Sequence, residues 1–69
     1  MAKIVFTMSN GSAFEKSRGG FGEEKPFTDI RSVMAFLHVF FGDSDTLSVT
    51  ADDGTMLMVR QIATIQVVV

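Results

Sequence analysis

The chain has 69 residues, no cysteine, one histidine and a formal net charge of −2. Disulfides, thiolate-zinc sites and multi-histidine metal sites within one chain are thereby excluded, and the basic surface of a dedicated DNA binder is not there. A chain this short makes one domain, residues 1–69, burying only about 60% of what its unfolded form exposes. Yet 46% of it is apolar and only 20% charged, a surplus that association with a second copy would hide.

The start, Met1-Ala2-Lys3-Ile4, enters a short apolar strand without the apolar stretch and cleavage site of a signal peptide. Residues 3–9 alternate, with Ile4, Phe6 and Met8 on one face and Lys3, Val5 and Thr7 on the other. Asn10-Gly11 then predicts a type I′ hairpin turn, in which both central residues take positive φ. Residues 12–16 form a short, polar return strand at the sheet edge, with Ala13 and Phe14 on opposite faces.

Residues 17–25 break the pattern. Gly19, Gly20 and Gly22 fall within four positions, and only Phe21 could anchor the segment, so a mobile glycine-rich loop is expected. A helix follows from Thr28, read as the N-cap, through Asp29 near the positive end of the dipole, to about Phe41, with Gly42 as the stop. At 100° per residue, Ile30, Val33, Met34, Leu37, Phe40 and Phe41 form the core stripe, Arg31 and His38 share a flank, and Phe36 and Val39 lie off the stripe beside Ser32.

After a polar loop at 43–45, residues 46–51 alternate with Leu47, Val49 and Ala51 inward. Asp52-Asp53-Gly54 turns the chain, 55–59 returns, and Arg60-Gln61 bends it, because Ile62 and Ile65 are spaced by three rather than two. The last strand, 64–69, carries Ile65, Val67 and Val69 on one side. The expected fold is α+β and two-layered: one helix on a four- to five-stranded, mostly antiparallel sheet, in the order β-β-α-β-β-β. The longest uncharged stretch, 32–42, falls well short of the ~20 residues of a membrane helix.

The chemistry-bearing residues form no constellation. Arg18-Gly19-Gly20-Phe21-Gly22 resembles part of the first RNA-binding motif of RNA-recognition domains, which implies base stacking on aromatics. Here it continues Glu23-Glu24-Lys25-Pro26, which repels phosphate and ends a strand. No glycine–lysine–serine or –threonine sequence makes a phosphate cradle. Asp43, Asp45, Asp52 and Asp53 flank a strand whose ends stand ~20 Å apart, so they suit turns better than one cation. His38 has no nucleophile or carboxylate on its helix face, and nothing fixes the separation of Glu23 and Glu24.

The expected function is therefore a non-enzymatic protein-interaction module that self-associates as a homodimer. It has no catalytic, metal or cofactor residues. Its size suits a cytoplasmic, bacterial or phage accessory protein that modulates a larger partner. The expected interface comprises Phe36, Val39, Thr64, Gln66 and Val68. The alternative is single-stranded nucleic-acid binding by the loop, with Arg18 and Phe21 in contact and Lys16 and Lys25 beside them.

Overall fold

The computed structural model describes residues 2–19, 25–42 and 46–69. In chain order these form β1 (Lys3–Met8), β2 (Ala13–Lys16), β3 (Arg18–Gly19), β4 (Lys25–Pro26), α1 (Ile30–Gly42), β5 (Ser48–Thr50), β6 (Met56–Met58), a 3-10 turn at Val59–Gln61, and β7 (Ile62–Val68). The class is α+β. Its antiparallel sheet has three strands in the order β2-β1-β7, beside two two-stranded ladders, β3-β4 and β5-β6. The helix is too short to cross a membrane.

The sheet is smaller than four or five strands for a local reason. Strands β5 and β6 pair only with each other, and β6 then passes through the 3-10 turn, which redirects the chain before β7 pairs with β1. The unequal spacing of Ile62 and Ile65 marks this bend, together with a bulge opposite Thr7 and Met8.

Alternation in β1 is as the sequence predicts: Ile4, Phe6 and Met8 are buried, and Lys3, Val5 and Thr7 are half-buried. The turn after β1 is not type I′. Within it Gly11 alone has positive φ, at 91°, and among the described residues only glycines do. The Gly11 amide donates to the Met8 carbonyl at 2.9 Å and the Met8 amide to the Ser12 carbonyl at 2.7 Å. These bonds enclose a three-residue loop ending in a left-handed glycine. The Asn10 side chain accepts from the Ser12 amide at 2.9 Å.

The second turn repeats this arrangement. Gly54 has φ 89°, its amide reaches the Ala51 carbonyl at 3.0 Å, and the Ala51 amide reaches Thr55 at 2.8 Å. Asp53 takes the place of Asn10, accepting from the Thr55 amide at 2.9 Å.

The extra loop residue decides which way β2 faces. A two-residue turn would pair Ser9 with Ser12 and set Phe14 opposite Thr7 on the outer face. The three-residue loop pairs Phe14 with Phe6 and Lys16 with Ile4, which brings both onto the core face. Lys16 is only 4% exposed. Its ammonium donates to the Thr50 carbonyl at 2.8 Å and lies 5.7 Å from the centre of the Phe36 ring.

The helix begins one residue later than expected, with Asp29 rather than Thr28 as its cap. The Asp29 carboxylate accepts from the Ser32 amide at 3.0 Å, and the Ser32 hydroxyl in turn accepts from the Thr28 and Asp29 amides. This is a reciprocal cap with serine in the usual glutamate position. The buried face is also rotated from the expected stripe. Val33 is fully buried, with Phe36, Leu37 and Phe40 packed on the core, whereas Ile30 and Met34 are half-exposed.

Phe27 explains the rotation. It is buried at 2% exposure, its ring 5.5 Å from that of Phe36, which stacks on Phe40 at 4.9 Å. A Cβ on Gly19 would stand 2.9 Å from two Phe36 ring carbons and 3.0 Å from Phe27. The missing side chain at Gly19 is what lets both rings approach.

The core is one cluster in which Ile4, Phe6 and Met8 meet Phe27, Val33, Val49, Ala51 and Leu57. Leu47, expected inward with Val49 and Ala51, is 71% exposed instead, because β5 begins only at Ser48.

Candidate interaction surface

The two edges of the β2-β1-β7 sheet differ in how their outward backbone groups are bonded. Backbone amide and carbonyl groups alternate in direction along a strand. Both groups of Met8 are bonded within the β1-β2 turn, whereas the Ser9 amide donates to Gln61 at 2.8 Å on the β7 side. Met8, Phe6 and Ile4 therefore direct their backbone toward β2, and Thr7, Val5 and Lys3 toward β7. Their partners Thr64, Gln66 and Val68 direct theirs inward. Ile65 and Val67, between them, point their amides and carbonyls away from the sheet.

The same alternation on the other side turns Glu15 and Ser17 outward from β2, and there the Glu15 carbonyl and both Ser17 backbone groups are bonded. The Glu15 carbonyl accepts from the Asp52 amide at 3.0 Å, and the Ser17 carbonyl from Phe27 at 2.9 Å. The Ser17 amide donates to both Asp52 carboxylate oxygens, at 3.0 and 2.9 Å, and its hydroxyl to one of them at 2.7 Å. Partial burial raises the affinity of Asp52 for a proton. The Ser17 donors and the Arg18 and Lys16 charges outweigh this, so its pKa lies below the ordinary value of 3.8.

No such closure exists at β7. Among the described residues, no backbone group bonds to the outward side of Ile65 or Val67. The edge has no charge from 61 to 69, and its exposed apolar side chains include Ile65 at 40% and Val69 at 80%. Ile65 stands opposite Phe6, and the Phe41 ring, itself at the surface, lies 6.5 Å from that of Phe6. Ile65 and Phe41 thus both stand beside the buried Phe6.

Three of the five expected interface residues lie on β7: Thr64 and Gln66 are exposed on the outer face of the sheet, and Val68 is half-buried there opposite Lys3. Val39 is 40% exposed on the helix. Phe36 is a correction, since it packs inward on Phe27, Phe40 and Gly19 rather than off the core stripe. Ile30, Met34 and Phe41, assigned to the core by periodicity, are the exposed ones. A helix apolar nearly all round gives its period no single direction, and only Phe27 and Gly19 orient it.

Across the glycine-rich segment 17–25, Arg18 pairs with Pro26 and Gly19 with Lys25 in an antiparallel ladder. Arg18 is exposed. Phe21, with residues 20–24, lies outside the described residues. Lys16, grouped with Arg18 and Lys25 in the nucleic-acid reading, has its ammonium turned to the Thr50 carbonyl instead. Parity could have found this, had the loop before β2 been counted as three residues.

The described carboxylates all have structural partners. Glu15 meets Lys3 at 2.7 Å, Asp29 caps α1, Asp52 holds Ser17, and Asp53 closes its own turn. The Thr55 amide holds the Asp53 pKa below its ordinary value. Glu23, Glu24, Asp43 and Asp45 lie outside the described residues. A cleft of about 300 Å³ between Leu47, Met58, Val59 and Arg60 sits at the lower limit for small-molecule sites and gathers no acid–base pair. Comparison with protein-family models, curated proteins and solved structures finds no match.

Proposed function

We propose that this chain is a small, non-enzymatic protein-interaction module that self-associates as a homodimer through the β7 side of its sheet. The observation that supports it is the outer edge of β7, which carries no charged side chain from 61 to 69, has no described backbone partner and exposes Ile65. An unprotected strand edge of this kind is a template for pairing, and the apolar surplus of a 69-residue chain has an outlet there.

Away from that edge, Ile30 and Met34 on the helix and Leu47 and Met56 near the β5-β6 ladder remain exposed. They leave apolar area for a larger protein partner, and exposed methionines adapt to varied apolar surfaces. A composition without cysteine fits a reducing cytoplasm. Sedimentation velocity over a dilution series tests the reading. A dimer mass at micromolar concentration is expected, and a monomer throughout the series overturns it.

A further inference from the structure

We propose that β7 pairs antiparallel with β7 of a second copy of this chain, about a two-fold axis passing through Gln66. This rests on the self-association reading and specifies its geometry. The outward backbone groups of Ile65 and Val67 fix the choice of axis. With the axis at Gln66, Ile65 of each copy stands opposite Val67 of the other, and the two pairs exchange four backbone hydrogen bonds. Moving the axis back to Ile65 would recruit Ala63, which lies within the bulge opposite Thr7 and Met8, where the ladder is no longer straight.

Side chains and charge agree with this register. On the core face, Ile65 and Val67 of both copies form two adjacent cross-strand pairs of β-branched side chains, covering the Ile65 surface now 40% exposed. On the outer face Gln66 meets its counterpart, and Thr64 meets Val68. Residues 61–69 carry no charged side chain, and the two Arg60 side chains fall at opposite ends of the paired strands, so no like charges meet. The result is one continuous six-stranded sheet, β2-β1-β7 followed by its two-fold copy, and the occupant that fits is the chain itself.

The absence of cysteine makes the test direct. Gln66 is exposed, so Gln66→Cys leaves the core intact. In this register the two Gln66 Cα atoms are ~4.5 Å apart, inside the ~4.4–6.8 Å that a disulfide bridges. Gln66→Cys alone should link into a covalent dimer under mild oxidation. Thr64→Cys alone and Val68→Cys alone should not, because each is ~13 Å from its own copy, four residues along. A mixture of those two variants should link.

Val67→Pro gives a second test, because it removes an outward amide while leaving the ladder to β1 intact. It should sediment as a folded monomer, with Thr64 and Gln66 amides still protected from exchange. A dimer in which Gln66→Cys stays unlinked, or which survives Val67→Pro, overturns the pairing but leaves self-association standing. A wild-type monomer overturns both.

Discussion

The sheet has two edges built from strands of similar origin and opposite fate. At the β2 edge, Glu15 and Ser17 are tied by backbone and side-chain bonds to Asp52 and Phe27, and Lys3 and Glu15 pair on the outer face nearby. At the β7 edge, the outward groups of Ile65 and Val67 face no described partner, and no charge stands from 61 to 69. Both are edges of one antiparallel sheet, but only one carries the charges and covering segments that keep a strand from pairing further. Edge protection here comes from two segments distant in sequence, the turn holding Asp52 and the stretch before the helix at Phe27.

The largest expected effect comes from giving the open edge what the closed edge has. Ile65→Lys should weaken self-association about a hundred-fold, on the order of 3 kcal/mol, read by sedimentation, while circular dichroism of the monomer stays unchanged. A dimer of undiminished affinity would mean that the edges do not differ in the way described.

Next are changes on the closed side. Gly19→Ala drives a methyl group to within 2.9 Å of the Phe36 ring, and overpacking of this kind costs about 1–3 kcal/mol. That is a large share of the roughly 3–5 kcal/mol a core of this size supplies, so chemical denaturation should show a marked loss. Asp52→Ala leaves the Ser17 amide without its acceptor and should cost about 1–2 kcal/mol. It should also raise the exchange rate of that amide, making the β2 edge resemble the β7 edge.

A smaller effect follows from pH. The pKa values of Asp52 and Asp53 are lowered by folding. Their contribution to stability is therefore present above the unfolded value near 3.8 and is lost as pH falls through the still lower folded values. Asp52→Asn should flatten the acid limb of stability against pH, and an unchanged limb would remove Asp52 as its source. The smallest effect belongs to the exposed Lys3–Glu15 pair. Glu15→Gln should cost under about 1 kcal/mol, and less in high salt.

Much of this fold is legible along the chain. Alternation in residues 3–9, the positions of both turns, the extent of the helix and the bend at Arg60-Gln61 follow from local periodicity and from glycine and capping chemistry. The chain also gathers its uncharged residues at the β7 end, which is why Thr64, Gln66 and Val68 stand out by sequence alone. What periodicity misreads are directions. Periodicity turns Phe36 outward and Ile30 and Met34 inward, the reverse of what the structure has, and the grouping of Lys16 with the loop cations does not foresee that it is 4% exposed.

The physical reason is the same in each case. A local pattern fixes the period of an element, and the orientation of an element with apolar residues on several sides is fixed only by what packs on it. The sequence by itself determined the helix, the longer strands, their order and the uncharged stretch 61–69, but not the short β3-β4 ladder, because the former depend on residues a few positions apart. Tertiary structure decided that Phe27 and Gly19 draw Phe36 inward, that one extra loop residue turns Lys16 into the core, and that Asp52, 35 residues beyond Ser17, closes one edge together with Phe27 and leaves β7 open. Each of these depends on contacts between segments distant in sequence, which local periodicity does not encode.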